Sequence, residues 1–141
     1  MKIHDAMTRN PEIVHANDPV RKAAELMKDL NVGAVPVFEG DDAVGIITDR
    51  DIAIRVVATG KDPATRVKEC MTRNVVACPE DADLHDAFQM MKDKKIRRLL
   101  VRDRQDKICG VVSLGDLALK LGKEKAGEAV HEISKPSEPE R

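Results

Sequence analysis

Gly45-Ile46-Ile47-Thr48-Asp49-Arg50-Asp51 is written a second time in this chain, as Gly110-Val111-Val112-Ser113-Leu114-Gly115-Asp116. Both copies read glycine, two aliphatics, a hydroxyl residue, two variable positions and an aspartate. The echo runs outward from them. Met7-Thr8-Arg9-Asn10 recurs unchanged as Met71-Thr72-Arg73-Asn74, Ala23 recurs as Ala87, and Met27-Lys28-Asp29 recurs as Met91-Lys92-Asp93, all at an offset of 64. The glycine motif is offset by 65, so one residue is gained between Asp93 and Gly110, which places it in a turn. Self-similarity at a fixed period makes half the chain the structural unit.

Length and composition bound what two such units can be. At 141 residues the chain fits one ordinary domain, so the two units are expected to share one core. A net charge of -1, from 24 basic and 25 acidic residues, supplies no broad field for nucleic acid or anionic membrane, and both partners are disfavoured. With no Trp or Tyr and only Phe38 and Phe88, the core must be aliphatic and base stacking has no platform. No apolar run approaches a membrane span and Met1-Lys2-Ile3-His4-Asp5 is no signal peptide, which reads as a soluble, cytoplasmic chain. Three cysteines without framework spacing agree with a reducing compartment.

Each unit reads strand, helix, strand, strand, helix. In the first, Asn17 or Asp18 is expected to cap a helix over 18–30 with Pro19 just inside it, since Val20, Ala23, Ala24, Met27 and Leu30 recur at helical spacing. Val35–Phe38 and Ala43–Ile47 form a hairpin across a slightly long turn at Glu39–Asp42, with Pro36 early in its strand or on an edge. Ile52, Ala53, Val56 and Val57 mark a second helix closed by Gly60. The second unit repeats the order: a strand at Val75–Cys78, a helix over Asp83–Lys94, strands near Leu99–Val101 and Ile108–Val112, and a helix at Leu114–Leu121. The expected bounds are 1–62 for the first repeat, 63–122 for the second and 123–141 for a flexible, charged, Pro-containing tail.

Thr48 with Asp51, and Ser113 with Asp116, fall where a buried strand ends and a helix begins. One reading is a capping box, the hydroxyl accepting from the amide three residues on and the carboxylate reaching back. The other is a ligand site. A helix start offers free amides and a positive dipole end to an anion, and a carboxylate offers two acceptors to vicinal hydroxyls, a pairing that a ribose phosphate satisfies. Capping explains either copy alone; it does not explain why both keep a hydroxyl residue and Asp after two strand aliphatics.

On these residues the chain resembles the tandem cystathionine-β-synthase (CBS) domain pair, the Bateman module, over roughly 3–121. The resemblance rests on the Met-Thr starts at 7 and 71, the Ala-x-x-x-Met helix positions at 23–27 and 87–91, the Val35-Pro36-Val37 strand and both glycine motifs. It implies an α+β fold of two repeats packed as a pseudo-two-fold pair, clefts that take an adenine nucleotide (AMP, ADP or ATP), association into a homodimer, and signalling through shape or through a protein partner. No cofactor is required and no catalysis is implied. Carried over, Thr48 and Ser113 contact sugar or phosphate, and Asp51 and Asp116 the ribose hydroxyls. Arg50 and the pair Arg97-Arg98 are the candidate phosphate ligands, because a guanidinium matches phosphate oxygens in a fork. The repeats differ here, since Gly33-Ala34 stands where Arg97-Arg98 stands, Leu100 replaces Pro36 and Gly115 replaces Arg50. Equal clefts are not expected.

Other residues read as structural. Cys70, Cys78 and Cys109 lack metal or redox spacing, the four histidines (4, 15, 85 and 131) have no readable nucleophile beside them, and Met27, Met90 and Met91 sit at helical spacing as core or dimer contacts. No nucleophile elbow or P-loop is present. Two rival readings stay open: a partner-binding module with empty clefts, and a metal or redox sensor using the cysteines.

Overall fold

A computed structural model describes residues 1–73 and 76–122; the expected 123–141 tail, His131, Asn74 of the repeated motif and Val75 of the strand expected at Val75–Cys78 lie outside the described residues. The chain forms two compact units, and their division follows contact rather than sequence order. Pro11–Val75 makes one unit, while Met1–Asn10 joins the chain from Val76 onward in the other. Below they are called the first-repeat and second-repeat units.

In the first-repeat unit, β2 (Val14–His15) is followed by α1 (Val20–Leu30), β3 (Ala34–Glu39), β4 (Asp42–Thr48) and a short α2 (Asp49–Ile52) that runs on as a π-helical turn over Ala53–Val57. The sheet order is β2-β3-β4, with β2 parallel and β4 antiparallel to β3. In the second-repeat unit, β1 (Thr8–Arg9) joins β5 (Ala77–Pro79), α3 (Leu84–Lys94), β6 (Arg98–Arg102), β7 (Ile108–Ser113) and α4 (Leu114–Leu121) in a sheet of order β1-β7-β6-β5. The expected strand, helix, strand, strand, helix sequence is present in both.

The expected single core is instead two clusters, one per unit. Val14, Val20, Ala23, Met27, Val35, Val37, Ile47 and Val67 belong to one; Ile3, Leu84, Ala87, Phe88, Met91, Leu99, Val112 and Leu117 belong to the other. The helices divide by period: Val20, Ala23 and Met27 are the buried residues of α1, and Leu84, Ala87, Phe88 and Met91 those of α3. Each is long enough to close a βαβ crossover over half a sheet.

The repeated Met-Thr starts explain the exchange of segments. The Ile3 amide bonds the Ala82 carbonyl at 2.9 Å, and the Val67 amide bonds the Asp18 carbonyl at 2.9 Å, so the leading segment of each repeat docks on the body of the other. Thr8 pairs with Val111 in the sheet, and Thr72 bridges Ile46 through bonds of 2.8 and 3.0 Å. Glycine makes the approach feasible. A Cβ on Gly45 would lie 2.6 Å from the Thr72 carbonyl oxygen and 3.0 Å from the Met71 sulfur; on Gly110 it would collide with the Met7 sulfur and lie 3.0 Å from the Thr8 oxygen. The repeated Met-Thr and glycine pieces are thus two halves of one contact.

Local differences from the sequence reading have local causes. Pro19 is itself the N-cap residue of α1 without a side-chain cap, because the Asp18 carboxylate is taken by the His15 amide at 2.8 Å, which holds its pKa below the usual range. The first hairpin turn is tight, since Glu39 already pairs with Asp42 across Gly40 at φ 62. In the second hairpin Arg102 pairs with Ile108, and the loop between them holds the residue gained by the second repeat. Pro36 lies inside β3, the central strand, opposite Ile46, whose amide and carbonyl both go to Thr72, so no bond to β4 is lost there. At the matching position the Leu100 amide bonds the Val76 carbonyl at 3.0 Å.

Gly45→Ala is expected to lower unfolding stability by about 2 kcal/mol or more through overpacking against backbone. Gly115→Ala, in α4 where the nearest atom is 3.6 Å away, is expected to raise it by about 0.5–1 kcal/mol. Urea denaturation of both variants checks the pair, and equal effects would contradict the close-approach account.

Candidate functional site

The two strand–helix junctions are built alike. β4 ends at Thr48 and α2 begins at Asp49; β7 ends at Ser113 and α4 begins at Leu114. Thr48 and Ser113 are extended N-cap residues, with φ -117 and -110. The Asp51 amide donates to the Thr48 hydroxyl at 3.0 Å and the Thr48 amide donates to Asp51 Oδ2 at 3.0 Å. In the other copy the distances are 3.1 Å for the Asp116 amide to Ser113 and 2.8 Å for the Ser113 amide to Asp116 Oδ2. The capping boxes read as one alternative from sequence are therefore formed in both units. They also fix each carboxylate at the first turn of a helix.

The neighbouring strand completes each junction. Ala34 pairs with Thr48 and Arg98 pairs with Ser113, while the Gly33 and Arg97 carbonyls accept from the Asp49 and Leu114 amides at 3.0 and 2.8 Å. The structure thereby brings Arg97, Arg98, Ser113 and Asp116 together in the second-repeat unit. It brings Thr48, Arg50 and Asp51 together in the first-repeat unit, with small Gly33 and Ala34 where the other has two arginines. Arg98 and Ser113 are half-buried, and Arg97 and Arg50 are exposed. At this register two arginines stand in one unit where glycine and alanine stand in the other.

Burial separates the carboxylates further. Asp51 is 7% exposed and is the buried charged residue of the described chain, whereas Asp116 is half-buried. The Thr72 hydroxyl donates to Asp51, 3.1 Å from Oδ1 and 3.2 Å from Oδ2, and Arg55 Nε stands 3.9 Å from Oδ1. Arg55 also donates to the Met71 carbonyl at 2.9 Å. Thr72 and Arg55 were not among the residues picked from sequence. Their signals were present: Thr72 belongs to the repeated Met-Thr start, and Arg55 lies four residues after Asp51 on a helix.

Two shallow surface hollows lie away from these junctions, along α3 at Asp86, Gln89, Met90, Asp93 and Lys94, and at Pro19, Arg21 and Asp62–Ala64. Neither collects converging polar groups suited to a ligand, so the junctions remain the better candidate on chemistry. Among the described residues, no group of three His, Cys, Asp or Glu side chains is placed to hold a metal, and no helix is long and apolar enough to cross a membrane. The cysteines are free thiols tied to local acceptors: Cys70 to the Val67 carbonyl at 3.5 Å, Cys78 to the Leu100 carbonyl at 3.7 Å and Cys109 to Glu80 at 3.3 Å. Burial pushes all three upward, to about 11 for Cys78 and, with help from Glu80, to about 11 for Cys109.

A duplicated strand–helix–strand–strand–helix chain with a hydroxyl–Asp junction in each copy defines the class. The CBS domain model matches residues 3–58 and 67–123, and the chain belongs to the CBS domain family. It is 43% identical over 133 residues to the CBS domain-containing protein YhcV of Bacillus subtilis, covering 94% of each chain. It is similar to the CBS domain pair of protein MJ0100 in complex with 5′-methylthioadenosine and S-adenosyl-L-methionine, at 28% identity and TM-score 0.76 over 86% of this chain and 96% of that one. CBSX2 in complex with AMP shares the fold, at 24% identity and TM-score 0.69 over 86% and 98%.

Asp51→Ala is expected to cost about 2–4 kcal/mol of stability, because it orphans the Thr48 amide and the Thr72 hydroxyl in a buried place. Asp116→Ala should cost about 1 kcal/mol, the worth of a cap. Denaturant titration of the two variants would show equal losses if burial at Asp51 were inconsequential.

A raised thiol pKa favours the folded state in full below the ordinary value of 9.0 and loses that contribution as pH rises towards 11. With no Tyr or Trp to overlap, thiolate absorbance in the far ultraviolet reads this directly. The native protein should stay flat near pH 9 and the urea-unfolded protein should titrate there. Native thiolate appearing below pH 9 would point to reactive cysteines.

Proposed function

We propose that this chain is a regulatory sensor without catalysis of its own, binding an adenine nucleotide of the AMP, ADP or ATP class at its strand–helix junctions. The carrying observation is the duplication of one geometry, a carboxylate fixed at the first turn of a helix beside an N-cap hydroxyl, in a family whose solved relatives include complexes with adenosyl ligands. Asp116 and Asp51 take the ribose hydroxyls. Ser113 and Thr48 lie next to sugar or phosphate, with Arg98 and Arg97 serving phosphate in the second-repeat unit and Arg50 in the first. No resident cofactor is needed. Cytoplasmic location and a protein partner that reads the signal complete the proposal.

The proposal includes a homodimer. Val57 is 70% and Leu119 86% exposed, and two-fold association is the commonest way to cover apolar helix surface. A second reading, a partner-binding module whose junctions stay empty, draws on one observation: the acceptors of Asp51 are already engaged by Thr72 and Thr48.

Isothermal titration with AMP, ATP and adenosine separates the readings. A hydrogen bond to a charged group is worth roughly 1.5–3 kcal/mol, so Asp51→Ala and Asp116→Ala should each weaken their own junction by about ten- to a hundredfold. Arg98→Ala should weaken AMP and ATP far more than adenosine, with a marked salt dependence. Wild-type affinity in both Asp variants would overturn the ribose assignment. Sedimentation of the same samples should give a dimer at tens of micromolar, and a monomer would overturn that part.

A further inference from the structure

The Asp51 carboxylate is held in a way that its counterpart is not. Thr72 places one hydroxyl across both carboxylate oxygens, at 3.1 and 3.2 Å, the position from which a vicinal diol would donate to the same pair. Oδ2 also accepts the Thr48 amide, and Arg55 closes the Oδ1 side while bonding the Met71 carbonyl. The competition is for place rather than for lone pairs: the Thr72 hydroxyl sits within reach of both oxygens at once, so a vicinal diol that donates one hydroxyl to each oxygen from that side has to displace it. The amide is fixed by the helix cap and the guanidinium by its bond to Met71. Thr72, on a single rotatable hydroxyl-bearing side chain, is the partner that can leave.

Its position gives the displacement a consequence. Thr72 lies in the segment that leads to Val76, where the chain re-enters the other unit. Its backbone is pinned to Ile46 and its side chain to Asp51, so the carboxylate supplies one of the ties holding that segment to the first-repeat unit. Thr8 occupies the matching register opposite Val111, but its side chain is exposed and makes no hydroxyl bond to Asp116 among the described residues. The tie is particular to one copy.

We propose that Thr72 is a latch on Asp51, released when the vicinal hydroxyls of a bound ribose replace it, so that filling the first-repeat junction loosens the Met71–Arg73 segment. This rests on the nucleotide reading above and adds a direction of regulation to it. The two junctions then differ in kind: the one at Asp116 takes ligand without an internal competitor, and the one at Asp51 takes it only against Thr72.

The test uses the full chain with Asp116→Ala as background, so that AMP titrates the first-repeat junction. Adding Thr72→Val, which keeps the shape and removes the donor, is expected to tighten AMP by about five- to tenfold while lowering the melting temperature of the ligand-free protein. Thr72→Ser should restore the background affinity. Opposite movement of affinity and stability is the signature, since a purely structural threonine would lower both. Unchanged or weaker binding with Thr72→Val, or no binding in the background while wild type binds, overturns the latch and leaves the nucleotide reading standing. No AMP binding by wild type overturns the reading and the latch with it.

Discussion

In the first-repeat unit, the surroundings of the Asp51 carboxylate depend on the contact of Met71 and Thr72 with Gly45. The missing Cβ lets a second backbone lie against β4, Ile46 exchanges both its backbone groups with Thr72, and the threonine hydroxyl thereby arrives at Asp51. Remove the glycine and the segment backs away, taking with it the tie to the carboxylate. The same contact in the second-repeat unit, Met7 and Thr8 on Gly110, draws the amino terminus across to a repeat about a hundred residues further along. This is why the compact units exchange their leading segments, and why the repeated motifs at 7, 71, 45 and 110 occur as pairs.

Built on one plan, the units have diverged at the junction. In one, Arg98 pairs with Ser113 beside a half-buried Asp116; in the other, Ala34 pairs with Thr48 beside a buried Asp51 that Thr72 and Arg55 already engage. On the proposed reading, a ligand at Asp51 competes with Thr72, and a ligand at Asp116 has no such competitor among the described residues. A sensor with one open and one latched junction responds over a wider range of ligand concentration than one with two equal sites, because the latched junction has to offset the cost of displacing Thr72.

Much of this was legible in the residues because it is carried by period and repetition. Helix α4 was placed at its observed bounds, the hairpins fell where aliphatic runs flank polar turns, and the inserted residue was located to a turn from offset alone. Aligning the repeats put Arg98 where Ala34 stands; its pairing with Ser113 came from the strand register. What was missed depends on contacts distant in sequence. A length that fits one ordinary domain suggested one shared core, but the exchange of Ile3 and Val67 gives each unit its own. Asp18 looked like a helix cap and instead closes the turn before Pro19, a choice made by which amide is nearer. The hydroxyl–Asp pair was open between cap and ligand site; the capping half is now seen, and Thr72 shows that the cap alone does not satisfy the carboxylate.

The central claim is that one pair of carboxylates serves both as helix caps and as ribose acceptors. A crystal structure of the full chain grown with AMP tests it most directly. The account predicts ribose hydroxyls within hydrogen-bond distance of Asp116, phosphate beside Arg98, and, wherever Asp51 is occupied, the Thr72 side chain turned away from it. Nucleotide bound elsewhere, with both capping boxes and the Thr72–Asp51 bond unchanged, would contradict it.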